Sequence, residues 1–490
     1  MQYCSRLIGT SKQASRKAVP LAYVSVKFGN LWSKPVIKKV YKHLCNYPQL
    51  MEANKTKSNV LQTYISFMVF TFDILSFIVI TFVTVPLSRA IYPVKLVEIG
   101  LIITWGGFAA SSLMRPVGAA IIGPIYDLVG RKRGIELSLI GASIFTAAIG
   151  LTPTYSSVGI LSPIIYITLR IIGGIFIGSL VSGGIVFATE NVPERWRGFV
   201  GGFSESGGSW AHVVGALWLL MISVVFVGLS YFTIGWRVMF AVSLIPLIAV
   251  LPVIYFTPES DILILAKKKG KAAEGVYKKL FSRKEIRNTF LLIMVMSLGV
   301  LGYDNLTENI FPTFLTVVNK VPHVMLSELV LYGAFFGVAG SLTGGALSQK
   351  TGRKPLAIAM SIILIVISPL FLYLGGLKAS MFYLILLILI PFYFFTAISK
   401  AVLSLLLNES FPTEVRGTAA GLNWNIGYGV AGVYPLIESI FMAIYGTKIY
   451  PLIQFIFLVI LATIFLIAIL MIKETKGNIA KELEELKTTA

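Results

Sequence analysis

Three carboxylates, Asp73, Asp304 and Glu308, interrupt long apolar stretches of the sequence. A charged side chain at the centre of a bilayer costs about 2.5–3.5 kcal/mol on insertion scales, so such residues generally face a cavity or a partner. Asp304 and Glu308 are four residues apart, which places them on one face of a helix, where each hinders the ionisation of the other. We predict that these three residues carry a coupling proton. The alternatives are a structural ion pair for Asp73 and a position at the external mouth for Glu308.

Three cations, Arg115, Arg170 and Lys400, lie in similar apolar surroundings. Because arginine can hold a carboxylate with two parallel hydrogen bonds, we predict that these cations bind an anionic substrate. The alternative for Arg115 and Arg170 is structural pairing with acids such as Asp73 or Glu205. Lys400 has no evident acid on its own helix, which favours a role in binding or coupling.

Other polar side chains occur in the same stretches. Asn423 and Asn425 are predicted to bind a polar substrate, although they could equally join helices to one another. His212 follows Glu205 by seven residues and so shares roughly one helix face with it. A histidine can relay protons, but the interpretation we favour for His212 is a packed, hydrogen-bonded core residue.

Two sequence patterns occur twice. ENVPERWRG at 190–198 matches ESFPTEVRG at 409–417, and a Gly-x3-Asp-Leu-Val-Gly-Arg-Lys pattern at 123–132 matches Gly-x3-Gln-Lys-Thr-Gly-Arg-Lys at 345–354. Each copy lies at the end of a long apolar segment. This duplication predicts two homologous halves that move against each other across a membrane.

The elements that must carry these residues are long and apolar. Hydrophobic residues make up 56% of the chain and charged residues 13%, and the mean hydropathy is +0.82, whereas soluble domains are roughly a quarter charged. Runs of the length that crosses a bilayer, about 20 residues, predict twelve spans, at 61–86, 99–126, 135–152, 162–189, 199–229, 236–256, 289–318, 326–348, 356–374, 380–408, 417–446 and 449–472.

The basic residues mark topology. The net charge of +20 lies mainly in alternate turns, which indicates a membrane orientation and not a nucleic-acid surface. The loop at 257–288 holds nine Lys and Arg, including Lys267, Lys268 and Lys269, so we expect it and both termini to be cytoplasmic. Neither cysteine, Cys4 or Cys45, lies among the spans, so we expect no disulfide, metal or redox centre there.

The predicted organisation has five parts. A basic cytoplasmic segment at 1–58, for which a start at Met51 is an alternative, precedes a six-helix half at 59–256. The loop at 257–288 leads to the second half at 289–472, and a short tail covers 473–490.

Several of these motifs together resemble the major facilitator superfamily over about residues 60–485. The turn at 123–132 is similar to its signature loop, and 170–178 to its second motif. Segments 258–260 and 474–477 resemble the sugar-porter and organic-ion branches, while 114–118 resembles the proton-coupled metabolite symporters, many of which carry carboxylates.

The resemblance implies an all-α membrane protein of twelve transmembrane helices in two pseudo-symmetric six-helix halves. In that family the duplicated motifs lock an inner gate, and ion pairs that exist in one state only bias such an equilibrium. Gln349 replaces Asp127 in the second copy, so we expect an asymmetric gate, although simple topology could also explain the charges. The implied gate residues are Asp127, Gly130, Arg131, Glu190, Arg197, Gly352, Arg353, Glu409 and Arg416.

From the residues and the resemblance we expect a carrier and not an enzyme. The predicted activity is proton-coupled symport of a small organic acid or related polar metabolite by alternating access in the plasma membrane. We expect a functional monomer whose partners are substrate, protons and lipid, with no cofactor, metal or nucleic acid. A sugar or polyol carrier is the nearest alternative, followed by drug efflux and a transporter-like sensor.

Overall fold

The structure is a computed structural model, and it describes the backbone of more residues than it does side chains. The backbone is described for residues 35–92, 97–190, 192–259, 264 and 275–488. Side chains are described for residues 59–92, 100–126, 129–181, 183–184, 186–190, 192–259, 264, 275–482 and 484–485. Three features singled out in the sequence lie outside these residues: most of the predicted segment at 1–58, the Lys267, Lys268 and Lys269 cluster, and the side chain of Asp127.

The chain divides into two compact units, Met1–Val60 and Leu61–Ala490. All twelve predicted spans begin in the second unit. Its first half contributes six long helices and the short helix Tyr155–Val158. They are α1 (Pro35–Ile91, which begins in the first unit), α2 (Val97–Leu128), α3 (Arg131–Ile149), α4 (Leu161–Phe187), α5 (Glu194–Val225) and α6 (consecutive segments Tyr231–Gly235, Trp236–Met239, Phe240–Leu244 and Ile245–Phe256).

The second half repeats this arrangement after the short helix Val276–Ser282. Its helices are α7 (Lys284–Asp304, a π turn at Asn305–Asn309, then Phe311–Val317), α8 (His323–Thr351), α9 (Arg353–Ile367, then Leu370–Gly375), α10 (Phe382–Glu409), α11 (Arg416–Ala431, then Tyr434–Tyr445) and α12 (a 3-10 turn at Thr447–Ile449, then Tyr450–Met471). The tail helix α13 covers Asn478–Thr488.

Eleven helices in the described part of the chain are long and apolar enough to cross a membrane. The predicted third span corresponds to α3, which is helical but is not among the eleven. Its first turns carry Arg131, Lys132, Arg133 and Glu136, which lower its hydropathy. The all-helical membrane fold is confirmed, and the count of qualifying helices is one below the twelve expected.

Two helices begin earlier than the apolar spans predicted for them. The span predicted at 61–86 agrees with the membrane-length apolar stretch Asn59–Ile91, but the helix that contains it, α1, begins at Pro35. Helix formers such as Met51, Glu52 and Ala53 extend a helix without adding apolar character, so hydropathy does not mark its start. Similarly, α7 begins at Lys284 and not near 289, since its first turn is charged.

The described helices leave many large apolar side chains exposed, while they bury the ionisable side chains in their middle parts. Ile121, Val366 and Leu387 are 62%, 70% and 63% exposed, although each lies within a long helix. In contrast Asp73 and Asp304 are fully buried. This distribution is typical of a bundle whose outer surface faces lipid and whose ionisable groups face the interior.

The two halves approach closely along α5 and α8. A Cβ on Gly202 would lie 2.5 Å from the carbonyl oxygen of Ser341, and one on Gly345 would lie 2.4 Å from that of Gly198. Any larger residue at Gly202 or Gly345 would therefore force the helices apart. Small residues allow this kind of close contact between membrane helices.

Candidate substrate and proton site

Asp73 on α1 and Arg115 on α2 form a buried ion pair. Nη2 of Arg115 lies 2.6 Å from Oδ1 of Asp73, and neither side chain is more than 1% exposed. Nε of Arg115 donates to Oδ1 of Asn425 on α11 at 3.0 Å, and Nε1 of Trp424 donates to Oδ2 of Asp73 at 3.4 Å. The pair therefore belongs to the first half but is held by two α11 residues of the second half.

Tyr428 on α11 connects this ion pair to a second charged cluster. The guanidinium carbon of Arg115 lies 5.0 Å from the centroid of the Tyr428 ring, and 4.7 Å from that of Phe77. The hydroxyl of Tyr428 donates to Oδ2 of Asp304 at 2.5 Å. One side chain thus contacts a cation through its ring and an anion through its hydroxyl.

The second cluster, which we name the Lys400 cluster, consists of Lys400, Asp304, Glu308 and Glu205. Nζ of Lys400 on α10 lies 2.8 Å from Oδ1 of Asp304 and 3.0 Å from Oε2 of Glu308, both on α7. It lies 3.9 Å from Oε1 of Glu205 on α5. All four side chains are at most 2% exposed.

Further hydrogen bonds hold the acids of the Lys400 cluster in place. Oγ of Ser341 on α8 donates to Oε2 of Glu205 at 2.5 Å, and Nδ2 of Asn309 donates to Oδ2 of Asp304 at 3.0 Å. The π turn Asn305–Asn309 lies between the two parts of α7, and Glu308 belongs to it. As the four-residue spacing predicted, Asp304 and Glu308 face the same partner.

The Lys400 cluster contains more acid than base. With all four side chains ionised its net charge would be minus two, because three carboxylates surround one ammonium group. Buried charge without compensation is strongly unfavourable in a low-dielectric interior. The cluster is therefore suited to take up protons or another cation.

Whereas the Lys400 cluster has a surplus of negative charge, Arg170 on α4 is a positive charge without an acidic partner among the described residues. It is 4% exposed and forms no ion pair with any described acid, and its Nε has no hydrogen-bond partner among the described residues. Its guanidinium carbon lies 5.4 Å from the centroid of Phe108. Of the three predicted substrate cations, Arg115 and Lys400 are paired with acids, whereas Arg170 is a buried cation available to an anion.

The remaining predicted polar residues lie close by. Asn425 accepts from Arg115, while Nδ2 of Asn423 donates to the backbone of Ala419 and its Oδ1 has no described partner. His212 packs edge-on against Tyr393, with ring centroids 5.8 Å apart, and its Nδ1 lies 3.1 Å from the carbonyl oxygen of Gly208. This environment fits the packed core residue favoured for His212.

The predicted gate residues gather at the end of the molecule that carries the duplicated motifs, which we call the motif end. Oε1 of Glu190 lies 3.4 Å from Nη2 of Arg131 in its own half and 3.2 Å from Nη1 of Arg416 in the other half. Arg353 holds Glu409 with two bonds, of 2.8 and 3.2 Å. Glu190 thereby connects the two halves.

Other motif residues add contacts between or within the halves. Oε1 of Gln349 accepts from the backbone nitrogen of Gly198 at 3.0 Å and from Nη2 of Arg353 at 3.1 Å. Arg197 donates to the backbone carbonyls of Thr189 and Val192. Arg197 thus fixes the turn before α5, whereas Gln349 contacts the opposite half.

The motif glycines Gly130 and Gly352 precede α3 and α9 with φ values of 150° and 97°. A Cβ on Gly130 would lie 2.3 Å from a carboxylate oxygen of Glu259, and one on Gly352 would lie 2.6 Å from one of Glu474. These glutamates, which follow α6 and α12, accept from backbone nitrogens at the starts of α3 and α9. The positive φ at both positions favours glycine, and a side chain there would also displace the capping carboxylate.

The capping carboxylate Glu474 lies outside the membrane spans. Burial acts to raise the pKa of Glu474, but hydrogen bonds from the backbone nitrogens of Lys476, Arg353, Lys354 and Thr475 bring this pKa below its ordinary value. Donors at a helix N-terminus favour the ionised form.

The tail helix α13 docks on the same end. Glu482 pairs with Arg416, and its Oε1 accepts from the backbone nitrogen of Thr413 at 2.7 Å. Nδ2 of Asn478 donates to the carbonyl oxygen of Glu409 at 3.1 Å, and Ile479 is buried. Arg416 is thus shared between Glu190 of the first half and Glu482 of the tail.

Sequence reasoning missed several of these residues. Glu205 was considered only as a structural partner of Arg115 or Arg170 and as a neighbour of His212, although an acid within an apolar run was itself a signal. Tyr428, Ser341 and Trp424 carried no signal, because tyrosine, serine and tryptophan are common in membrane helices and their partners lie on other helices. Glu482 lies in the short tail at 473–490, for which the sequence predicted no role.

Comparisons with known proteins place this arrangement in a family. The model of the Major Facilitator Superfamily matches residues 65–435. The inner membrane metabolite transport protein YhjE of Escherichia coli strain K12 is 27% identical over 75% of this chain and 83% of its own length. The proline/betaine transporter of the same strain is 25% identical over 73% of each chain, and the citrate-proton symporter of Klebsiella pneumoniae is 24% identical over 74% and 81%.

A solved structure shares the fold. The proton:xylose symporter XylE, bound to 6-bromo-6-deoxy-D-glucose, aligns with a TM-score of 0.68 and 18% identity over 88% of this chain and 99% of that one. The helical architecture, the duplicated motifs and the family match agree. The chain belongs to the Major Facilitator Superfamily and is a multi-pass membrane transporter.

Proposed function

We propose that the protein is a proton-coupled symporter of a small organic acid or related polar metabolite. The two halves, 59–256 and 289–472, would alternately open the central site to either side of the plasma membrane, with the motif end and both termini in the cytoplasm. It would act as a monomeric carrier and not as an enzyme. The similarity to a metabolite transport protein and to a citrate-proton symporter supports this proposal.

The observation that carries the proposal is the acid surplus of the Lys400 cluster. Three buried carboxylates share a single ammonium group at 2.8, 3.0 and 3.9 Å. A proton on Glu308 or Asp304 reduces the uncompensated charge of the Lys400 cluster. The closed state of the transport cycle, in which this cluster is buried, then costs less free energy. Glu308 is well placed because its Oε1 has no described hydrogen-bond partner.

Substrate capture would use the cations of the first half. A substrate carboxylate binds Arg170 first, since no described acid competes for it. The same carboxylate can draw Arg115 away from Asp73, which then becomes an unpaired buried carboxylate and takes a proton. Substrate binding and proton uptake are in this way linked through one ion pair.

The motif end would supply the inner gate. Glu190 and Arg416 join the halves, and separating them exposes both charges to water. Contacts that exist only in the closed state set its population relative to the open state. The basic residues of these turns are consistent with a cytoplasmic location.

The test is the internal pH of proteoliposomes that contain the purified protein, recorded while organic acids or sugars are added outside. We expect acidification with a subset of carboxylates, beyond the passive leak of protein-free vesicles, and its loss in Asp73→Asn. Glu438→Gln is the matched control, because Glu438 is a fully buried acid of α11 that forms no described ion pair or hydrogen bond with the Asp73–Arg115 pair or with the Lys400 cluster. It should behave as wild type.

Entry of a labelled sugar with no pH change, equally in the wild type and Asp73→Asn, would contradict proton symport. That result would favour the sugar or polyol carrier.

A further inference from the structure

A short helix in the loop between the halves contacts both of them at the motif end. This helix, Val276–Ser282, which we call the loop helix, precedes α7. The hydroxyl of Tyr277 donates to the backbone carbonyl of Ala120 on α2, in the first half. Nζ of Lys279 lies 3.3 Å from Oε2 of Glu414, in the turn between α10 and α11 of the second half. The loop helix therefore connects the two halves directly.

Apolar packing seats the loop helix on the second half. Val276 and Leu280 are buried. The ring of Phe281 lies edge-on to that of Phe290 on α7, with centroids 5.5 Å apart. The ring of Phe290 in turn lies 6.5 Å from that of Phe411, in the turn after α10. These contacts fix one face of the loop helix at the motif end and leave its other face at the surface.

The outer face of the loop helix combines aromatic and basic side chains. Tyr277 and Phe281, one helical turn apart, are 37% and 42% exposed. Lys278 is also exposed, and the exposed cations Lys284 and Arg287 extend this face into the first turns of α7. Aromatic and basic side chains together are typical of a helix that lies on an anionic bilayer surface.

The charges of this segment favour an anionic surface as its partner. Residues 276–287 include five Lys and Arg but a single Glu. Two of these cations, Lys279 and Arg283, share Glu414 at 3.3 and 3.4 Å, and the side chain of Arg283 is 61% exposed. Because ion pairs this exposed contribute little to stability, the phosphates of anionic lipids can compete with Glu414 for both cations.

We propose that the loop helix clamps the motif end shut and that an anionic bilayer surface releases the clamp. On a neutral bilayer, the contacts of Tyr277 and Glu414 hold the two halves together. On an anionic bilayer, the basic face turns to the lipid phosphates, these contacts break and the motif end opens more often. The released loop helix offers more cations to the lipid than the clamped one, which is the difference in affinity that shifts the equilibrium. This regulation uses the inner gate of the proposed function, but neither its substrate nor its coupling proton.

The experiment measures opening of the motif end directly. Thr189 is 1% exposed and lies against Asn408 of the opposite half, so a cysteine in its place reacts when the halves separate. The full chain with Thr189→Cys, and without Cys4 and Cys45, is placed in vesicles of phosphatidylcholine alone or with phosphatidylglycerol in equal parts. We expect N-ethylmaleimide, a neutral reagent, to react roughly fivefold faster in the anionic vesicles. This factor corresponds to the attraction of one basic side chain to the surface.

A first variant removes the lipid contact and leaves the clamp. Lys278→Gln, Lys284→Gln and Arg287→Gln together should keep the reaction slow in both lipids. The matched control removes three exposed cations that lie at the same end but outside this face, by Lys350→Gln, Lys473→Gln and Lys481→Gln. The control should respond to phosphatidylglycerol as the unaltered loop does.

Two further variants loosen the clamp itself. Glu414→Gln removes the anchor on the second half, and Tyr277→Phe removes the hydrogen bond to the first half. Each should make the reaction fast in phosphatidylcholine alone and leave little further effect for phosphatidylglycerol.

The outcomes are distinct from those of the symport test. A reaction with the unaltered loop that is equally fast in the two lipids, or slower in the anionic one, would overturn the proposal, even where a variant does not fold. An undiminished lipid response after loss of the three loop cations would overturn it as well. Proton-coupled symport is judged separately, by internal pH, so its failure would leave the alkylation result unchanged.

Discussion

Tyr428 contacts one buried charge from each half of the molecule. Its ring lies under Arg115 and its hydroxyl donates to Asp304. Movement of either partner therefore changes the environment of the other. Under the proposed mechanism, this arrangement is the physical route by which release of Asp73 from Arg115 affects the protonation of the Lys400 cluster.

Tyr428→Phe keeps the ring and removes only the hydroxyl. Hydrogen bonds to charged groups are worth about 1.5–3 kcal/mol, so we predict that the initial rate of proton-driven uptake falls roughly tenfold or more. Tyr303→Phe is the control, because among the described residues the Tyr303 hydroxyl bonds only to Leu364 and Ser368, both within the second half. Equal rates for both variants would show that the Asp304 bond is not used in transport.

The Asp73 and Arg115 pair predicts a defined pattern of stability. Asp73→Asn alone leaves a buried guanidinium unpaired and should reduce the free energy of unfolding by about 3–5 kcal/mol. Adding Arg115→Gln should recover most of the lost free energy of unfolding, but it should not restore transport. Thermal unfolding in detergent and uptake assays measure the two effects.

The exposed pair of Arg133 and Glu136 gives the comparison for this series. Its removal by Arg133→Gln should cost about 1 kcal/mol or less. If Asp73→Asn lowers the free energy of unfolding no more than Arg133→Gln does, the buried pair does not contribute the stability predicted for it.

How far the sequence could predict the site depended on whether a contact lies within one helix or between helices. The shared face of Asp304 and Glu308 followed from their spacing, because helical geometry is local. Their partner Lys400 lies 92 residues beyond Glu308, and no spacing rule relates α7 to α10. The same limit hid Tyr428 and Ser341, whose roles depend on which helices pack together.

At the scale of elements, two helix starts are capped in the same way. Glu259 follows α6 and caps α3, while Glu474 follows α12 and caps α9. Each copy of the motif is therefore capped by its own carboxylate, which comes from the end of the same half. The sequence showed the duplication of the motifs, but it did not reveal that these glutamates reach back to them.

The tail helix α13 should stabilise the closed motif end. Burial acts to raise the pKa of Glu482, but Arg416 and the hydrogen bonds to Thr413 bring it below the ordinary value of 4.5. Because the pKa is lowered in the docked state, the stabilisation is present above pH 4.5 and is lost as the pH falls through the lowered value. We predict that proteolysis of the tail increases over that acidic range.

Glu482→Gln should make the tail equally accessible at neutral pH, and it should raise the fraction of molecules open at the motif end. Glu485→Gln is the control, since Glu485 is an exposed residue of the same helix. If the tail of Glu482→Gln is as protected as that of wild type at neutral pH, the Arg416 contact does not hold α13.

At the scale of the whole molecule, the halves touch near both ends of the spans. At the motif end, Nδ2 of Asn408 donates to Oγ1 of Thr189 at 2.9 Å. At the other end, the rings of Tyr231 and His323 lie with centroids 4.6 Å apart. Alternating access requires these two sets of contacts to open in turn and never together.

Cysteine cross-linking tests this requirement. In a background without Cys4 and Cys45, the cysteine pair Thr189→Cys with Asn408→Cys, or the pair Tyr231→Cys with His323→Cys, should each stop transport when oxidised and allow it again after reduction. Each variant with only one of the two cysteines is the control, because it is oxidised in the same way but cannot form the cross-link. Transport that continues through either oxidised pair would contradict a rocking mechanism.

The central claim is that the Lys400 cluster couples protons to substrate, and the most direct test is to compare proton-driven accumulation with substrate exchange in Glu308→Gln proteoliposomes. Exchange of labelled for unlabelled substrate needs the site to move between the two sides but consumes no proton gradient. We predict that Glu308→Gln retains exchange within about threefold of wild type and loses accumulation, whereas Glu438→Gln keeps both. Undiminished accumulation by Glu308→Gln, with an unchanged number of protons per substrate, would contradict the account.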